Sequence, residues 1–249
     1  MAGVVKVFHS WRCVSDAVVA ALSEPTTDPF VRPILVAPGN AQSRSLLQSL
    51  ARRHGIAAGI DTTTPLGLRE RLEEDLLGVK RENDPWQPGS LALRICRVIE
   101  NNSPGFEVVS AHLEASRRQG VPRATWTTAR QAADAICALA RDSHDVLNAW
   151  ADGATPTTHQ GDTDLAGDPL DPARAWWAPL WRTLLAEPCH VPDPVSRHQL
   201  LVDAILTQSR SEPPIVWFSS TTTAQHDVSL AEALSASHDV TIVHLDHGI

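Results

Sequence analysis

Two kinds of hydrophobic pattern divide the chain. Short runs rich in β-branched residues and bounded by Gly, Pro, Ser or Asp are typical of buried parallel strands. They predict five strands, at Val4–Phe8, Ile34–Ala37, Ile56–Ile60, Ile215–Phe218 and Val240–Leu245. Between the first three strands, apolar residues recur at helical spacing, and one predicted helix covers Asn40–His54. This pattern predicts an α/β fold with a parallel sheet.

The middle of the chain has a different period. From about Leu66 to Gln208 the strand signals stop, and helical periods cover Leu91–Ile99, Phe106–Leu113, Thr128–Trp150, Trp176–Leu185 and Gln199–Gln208. We therefore predict a helical insert, residues 71–210, within an α/β domain formed by residues 1–70 and 211–249. Inside the insert, residues 151–172 are rich in Gly, Asp, Thr and Pro, which predicts an exposed, mobile loop.

Composition restricts the class of protein. The 249 residues are 43% hydrophobic and carry a formal net charge of −8. The negative charge counts against an autonomous nucleic-acid-binding domain, so a DNA contact would be a local patch or would be shared with partners. The chain shows neither a long apolar run nor a leader, so we expect a cytoplasmic protein without a membrane span. The scattered cysteines predict reduced, mostly buried thiols: Cys13, Cys96, Cys137 and Cys189.

The turn after the first strand is where a nucleotide-binding α/β protein would cradle phosphate. A phosphate loop of the Walker A type needs glycines, and a lysine followed by Ser or Thr. The two lysines are Lys6, inside the first strand, and Lys80, and neither lies in a Gly-Lys-Ser/Thr sequence. Larger side chains stand at the turn instead, and we interpret them as a degenerate nucleotide loop: His9, Ser10, Trp11 and Arg12.

The fourth strand lacks the acidic pair that normally accompanies a phosphate loop. It continues into Ser219 and Ser220, where Asp and Glu would hold magnesium and orient water. Two independent absences predict that this chain does not hydrolyse ATP. The residues leave two alternatives open: a nucleotide-binding enzyme with an unrecognised phosphate loop, and a stand-alone interaction module.

Several longer segments resemble the RecC family, the gamma chains of exodeoxyribonuclease V. They include "VFHSWRCVSDAVVAAL", "DPFVRPILVAPGNAQSRSLLQSLARRHGIAAGID" and "PPIVWFSSTTTAQHDVSLAEALSASHDVTIVHL", in the order found in the N-terminal part of that family. The Asp-Pro-Phe before the second strand and the turn at Trp176–Trp181 are among the most specific pieces. The resemblance covers nearly the whole chain.

The resemblance implies a fold and a role. The α/β domain would be P-loop-like, resembling the first motor domain (1A-like) of a superfamily 1 helicase whose ATP site has degenerated, and the helical insert would be 1B-like. The chain would then be a non-catalytic subunit without a cofactor of its own. RecB-like and RecD-like partners would use ATP and magnesium, and this chain would guide single-stranded DNA from a DNA end during repair of double-strand breaks.

The resemblance also implies DNA contacts. Loops after the second and third strands grip single-stranded DNA in helicases of this type, which points to Asn40, Gln42 and Arg44 in the first loop. Arg69 is a weaker candidate in the second loop. The alternatives are structural: Asn40 would cap a helix, with Gln42 and Arg44 solvated on its first turn. Thr62–Thr64 would likewise only cap the next helix.

RecC subunits inspect the unwound strand for the regulatory Chi sequence. Asp134 and Arg197 stand where family members carry DNA-facing groups, whereas Cys137 and Ser143-His144 depart from the family pattern and weigh against Chi reading. As alternatives, both charges would be solvated surface groups. Trp11 and Trp86, beside predicted loops, are the better candidates for base stacking. We predict no metal site, although His244, Asp246 and His247 lie close together in the sequence.

Overall fold

A computed structural model describes residues 4–24, 30–101, 105–153, 176–208, 211–220 and 224–246. The chain divides into two compact units: an α/β unit, Met1–Lys80 with Gln199–Ile249, and a helical unit, Arg81–His198. The sequence pattern predicts the boundaries between the two units about ten residues away from these positions, at 70/71 and 210/211. Apart from 151–153, the predicted mobile loop at 151–172 lies outside the described residues.

The described residues form one five-stranded sheet in which all strands are parallel. Its order is β1-β5-β4-β2-β3, with the strands at β1 (Val4–Phe8), β2 (Ile34–Val36), β3 (Asp61–Thr63), β4 (Ser211–Ser220) and β5 (His238–Leu245). The mixed α/β class with a parallel sheet is confirmed. The described helices are α1 (Trp11–Leu22), α2 (Asn40–His54), α3 (Pro65–Leu77), α4 (Pro88–Glu100), α5 (Glu107–Arg118), α6 (Ala124–Asp142), α7 (His144–Ala151), α8 (Trp177–Ala186), α9 (Pro194–Thr207) and α10 (Gln225–Ser237).

Two helical layers cover the sheet of the α/β unit. Because side chains alternate along a strand, Leu35 faces one layer while Ile34 and Val36 face the other. Leu35 packs with α1 and α2, which supply Val14, Val18, Val19, Leu22, Leu46 and Leu50. Ile34 and Val36 pack with α3, α9 and α10, which supply Leu68, Leu201, Ile205, Leu230 and Leu234. The strands β2, β4 and β5 therefore bury apolar residues on both faces, as parallel sheets do. The edge strand β1 differs from the prediction of a buried strand, because Val4, Val5 and Val7 are more than half exposed.

The helical unit has its own hydrophobic core. Apolar residues of α4 to α8 form one cluster, in which Trp150, Trp176 and Trp181 are buried. These three tryptophans therefore stabilise the fold, as their helical spacing indicates. Trp86, in contrast, was a candidate for base stacking and is only 4% exposed. That prediction is wrong, because the Trp86 ring packs against Trp181 inside this core.

The third strand lies later than its sequence pattern predicts. The predicted run Ile56–Ile60 is irregular, and β3 is Asp61–Thr63. Gly55 ends α2 with φ 81°, and Gly59, inside the run, has φ 73°, so the backbone is left-handed just before the run and within it and does not extend as a strand. Ile56 is 69% exposed as a result. A short, polar strand pairs with β2 at the sheet edge instead.

Two further expectations change in the structure. The predicted helix Thr128–Trp150 is two helices, because Ser143 leaves helical geometry with φ −153° and ψ 54° between α6 and α7. The prediction of mostly buried thiols is also wrong: Cys13 and Cys189 are exposed, and Cys96 is partly buried. Burial, reinforced by the charges of Asp134 and Asp84, raises the pKa of the partly buried Cys137 to about 11.

Candidate nucleic-acid interface at the carboxyl edge of the sheet

Parallel strands bring several strand-to-helix turns to one edge of the sheet. β2 and β4 are neighbours, and the helices that follow them, α2 and α10, cover opposite faces. Ligands of open α/β sheets bind in the crevice outside the carboxyl ends of the strands, at the point where the strand order reverses in this way. The turn between β2 and α2 therefore borders the position that this topology favours for a ligand.

The turn after β1 is closed to a phosphate loop. Two residues, His9 and Ser10, join β1 to α1, whereas a Walker A loop places several residues between strand and helix. The Ser10 hydroxyl caps α1 by accepting from the Cys13 backbone N–H at 3.3 Å. Trp11 leans over the sheet, and its ring centroid is 5.5 Å from that of Phe218 on β4. All four residues predicted here, including the exposed Arg12, lie at this turn.

Hydrogen bonds within the sheet occupy the polar groups near the end of β4. The Ser219 hydroxyl lies 2.8 Å from His244 Nδ1 on β5. Next to this pair, the Asp246 backbone N–H donates to the Phe8 carbonyl at 2.8 Å, and His9 Nδ1 lies 3.7 Å from the Asp246 carboxylate. The described part of this edge therefore holds polar groups that pair with one another.

The turn after β2 is open. Gly39 is the N-cap of α2, with extended backbone, and no side chain caps the helix. Asn40 is the first helical residue and is exposed, so the alternative in which Asn40 caps the helix is wrong. Gln42 reaches back over the turn, since its Oε1 would lie 3.1 Å from a Cβ on Gly39. A glycine cap lets another molecule approach the backbone closely.

The charge at the start of α2 favours an anion. The first backbone N–H groups of a helix have no partner within the helix, and the helix dipole places positive potential there. α2 contains no acidic residue, and Arg44 is exposed one turn into the helix. Among the described residues, no acidic side chain lies within ion-pair distance of Arg44. Asn40, Gln42 and Arg44 therefore lie together at a site that suits a phosphate group.

Arg69, the weaker candidate, is not at this surface. Its Nε donates to the Glu73 carboxylate at 2.8 Å, and its Nη1 lies 2.8 Å from His226 Nδ1. The Arg69 side chain is only 12% exposed. The guanidinium joins α3 to α10, which leaves little of it for a ligand. Thr64 caps α3 by accepting from the Gly67 N–H at 3.1 Å, as expected for the end of Thr62–Thr64.

The two charges singled out in the helical unit have different surroundings. Asp134 is on the exposed side of α6, where it accepts from Arg130 Nε at 3.0 Å. Arg197 is buried, with its Nη1 2.9 Å from the Asp84 carboxylate. Its side chain is 7% exposed, so the alternative of a solvated arginine is wrong, and Arg197 presents almost no surface to DNA. The sequence pattern did not single out Asp84, which is buried and accepts a hydrogen bond from the Trp86 backbone N–H at 2.9 Å.

The described residues contain neither a membrane-spanning helix nor a metal-binding cluster. None of their helices has the length and apolar character needed to cross a bilayer. In the same ranges, no three His, Cys, Asp or Glu side chains lie close enough to hold a metal ion, and His247 falls outside them.

Comparison with known proteins identifies the family. The family model "RecC, N-terminal domain" matches residues 8–246. A RecBCD enzyme subunit RecC from Mycobacterium tuberculosis is 30% identical over 251 residues, and one from Mycolicibacterium smegmatis is 27% identical over 239 residues. Each match covers 91% of this chain but only 20% and 19% of the relative. The chain belongs to the RecC N-terminal domain family, and it spans about a fifth of the length of the curated relatives that it matches.

Proposed function

We propose that this chain is a non-catalytic, helicase-like part of a RecBCD-type complex and that it guides single-stranded DNA during repair of double-strand breaks. Membership of the RecC N-terminal family supports the assignment to such a complex. RecB-like and RecD-like partners supply ATP hydrolysis and DNA cleavage. The chain itself acts as scaffold and guide.

The proposed DNA contact is based on a difference between two turns. The turn between β2 and α2 is open and cationic and has no acidic partner among the described residues. At the turn after β1, in contrast, Ser10 caps α1 and the Trp11 ring packs against Phe218. A phosphate of the strand binds the free N–H groups at the start of α2, and Arg44 supplies its charge. Gln42, reaching back over Gly39, donates its amide to a phosphate or a base edge. Asn40 is exposed on the same turn.

We do not propose that this chain recognises the Chi sequence. Arg197 stabilises the helical unit from within, through Asp84. The Asp134 carboxylate is exposed but faces Arg130, which neutralises part of its charge. Neither Arg197 nor Asp134 is therefore positioned to contact base edges.

The closed turn after β1 predicts that the chain binds no nucleotide. Calorimetry with magnesium-ATP is expected to give no heat of binding at ATP concentrations well above those that saturate a micromolar site. Because the alternative of a nucleotide-binding enzyme depends on such a site, micromolar affinity for ATP would support that alternative and overturn the non-catalytic assignment.

The DNA contact is tested in the complex assembled with its RecB-like and RecD-like partners. The double variant Gln42→Ala/Arg44→Ala is expected to weaken single-stranded DNA binding by about 1–3 kcal/mol or to change pausing during translocation, with a smaller loss at high salt. Arg71→Ala is the matched control, because Arg71 is also exposed but lies on α3 in the opposite layer. Unchanged affinity and pausing in an assembled double variant would show that the turn only starts a helix. DNA binding by this chain that is independent of any partner and of this turn would favour the stand-alone interaction module.

A further inference from the structure

The exposed face of α2 carries a regular row of polar side chains beyond the turn. Arg44, Gln48 and Arg52 are all exposed and are four residues apart, so they lie along one side of the helix at intervals of about 6 Å. We call these three residues the α2 stripe. It begins at the open turn after β2 and continues along the helix toward Gly55.

The stripe is a local excess of positive charge in an acidic protein. α2 has three arginines and no acidic residue, and its neighbour α1 carries a single acidic residue, Asp16. Asp16 lies 3.8 Å from Arg53, which leaves the stripe arginines without that partner. Among the described residues, neither Arg44 nor Arg52 has an acidic side chain within ion-pair distance.

The opposite layer of the α/β unit has the reverse balance. α3 carries four acidic residues against two arginines, and α10 has two acidic residues and neither Lys nor Arg. Although the formal net charge is −8, the two layers differ in charge. The α3 and α10 layer repels a polyanion, whereas the α1–α2 layer attracts it. Among the described helices of this unit, the α1–α2 layer is the one with a net positive charge.

We infer that the α2 stripe is a track for the phosphate backbone of single-stranded nucleic acid, which extends the contact at the turn along the length of α2. The inference rests on the proposed function, because the turn fixes where the strand enters the stripe. Arg44 and Arg52 pair with phosphates, and the Gln48 amide donates between them. The contact carries no base preference, because each of these groups meets the backbone.

The test uses the complex assembled with its RecB-like and RecD-like partners and fluorescein-labelled oligo(dT), with anisotropy measured from low to moderate salt. Arg52→Ala is expected to weaken binding about threefold to tenfold at low salt, and to reduce the salt slope by about 0.7, the value of one phosphate contact on a single strand. The same loss is expected for oligo(dA). Gln48→Ala is expected to weaken binding less, without a change in slope, and Arg71→Ala is the matched control.

The outcomes separate the track from the contact at the turn. If Arg44→Ala weakens binding while Arg52→Ala changes neither affinity nor slope, the track is overturned and the proposed function stands. If neither variant differs from Arg71→Ala, both the track and the contact at the turn are overturned. A loss that differs between oligo(dT) and oligo(dA) also contradicts a backbone track. Circular dichroism confirms that each variant is folded.

Discussion

Arginine has opposite surroundings in two regions of this molecule. In the interior of the helical unit, Arg197 is paired with Asp84, and Arg94 lies over the Trp86 ring with its guanidinium carbon 4.4 Å from the ring centroid. On α2, Arg44 and Arg52 are exposed and have no acidic partner among the described residues. Contacts within the helical unit account for the presence of Arg197 and Arg94. Arg44 and Arg52 make no comparable contact among the described residues, so their charges are available to a ligand.

Charge alone therefore does not identify a nucleic-acid contact. A buried arginine with its partners is costly to disturb, whereas an exposed, unpaired arginine is nearly neutral for folding. Substitutions in the two regions should therefore have separate effects: one set changes the free energy of unfolding and the other changes DNA binding.

The largest effect is expected at Arg197. Arg197→Ala leaves the Asp84 carboxylate buried without its cation, and we expect a loss of about 3–5 kcal/mol in the free energy of unfolding. Urea denaturation followed by tryptophan fluorescence measures it, since the helical unit contains several buried tryptophans. Arg141→Ala is the control, because Arg141 is exposed in the same unit and lies 3.7 Å from Asp142. If Arg197→Ala lowers the free energy of unfolding no more than Arg141→Ala does, the buried pair with Asp84 does not stabilise the helical unit.

A smaller loss is expected at Arg94. Its Nη2 donates to the Leu184 carbonyl at 2.9 Å and lies 2.8 Å from Glu187, while the guanidinium covers Trp86. Arg94→Ala is expected to cost about 2 kcal/mol, because it removes a charged hydrogen bond and a cation–π contact. Arg94→Lys keeps the charge but not the planar stacking, so its loss should be intermediate. Equal stability of Arg94→Lys and the unaltered protein would show that the planar geometry contributes nothing.

The smallest effect on stability is expected on α2. Arg44→Ala and Arg52→Ala should each change the free energy of unfolding by less than about 0.5 kcal/mol, because both side chains are exposed and neither is in an ion pair among the described residues. Arg44 also lies near the positive end of the helix dipole, so its removal does not weaken the helix. The same denaturation measurement applies, and a loss above 1 kcal/mol for either variant would mean that α2 uses its arginines for folding.

The sequence predicted the strands and helices well where local pattern and tertiary contacts agree. The β-branched runs at β1, β2, β4 and β5 are strands, and the helix predicted at Asn40–His54 has those bounds. The prediction of a strand at Ile56–Ile60 is wrong, because the backbone is left-handed at Gly55 and Gly59 and is not extended there. Periodicity also missed the break at Ser143, because the apolar period continues through α6 and α7.

The candidate site was predictable only in part. The absence of Gly-Lys-Ser/Thr was visible in the sequence, and the short, capped turn at Ser10 agrees with it. The burial of Arg69 and Arg197 was not predictable, because their partners His226 and Asp84 are more than a hundred residues away in the sequence. The α2 stripe does have a local signal in the sequence, the spacing of four between Arg44, Gln48 and Arg52.

The most direct test of the account is photocrosslinking from the open turn in the assembled complex. Cys13→Ser and Cys189→Ser remove the two exposed thiols. Burial raises the pKa of both partly buried thiols, Cys96 and Cys137, the latter to about 11, so both react more slowly than an exposed thiol at neutral pH. A benzophenone is then attached at Ala41→Cys, on the exposed turn, or at Arg71→Cys in the opposite layer. The account predicts that single-stranded DNA crosslinks to the probe at position 41 and not to the probe at 71. Absence of a crosslink at position 41 in a complex that binds DNA would contradict it.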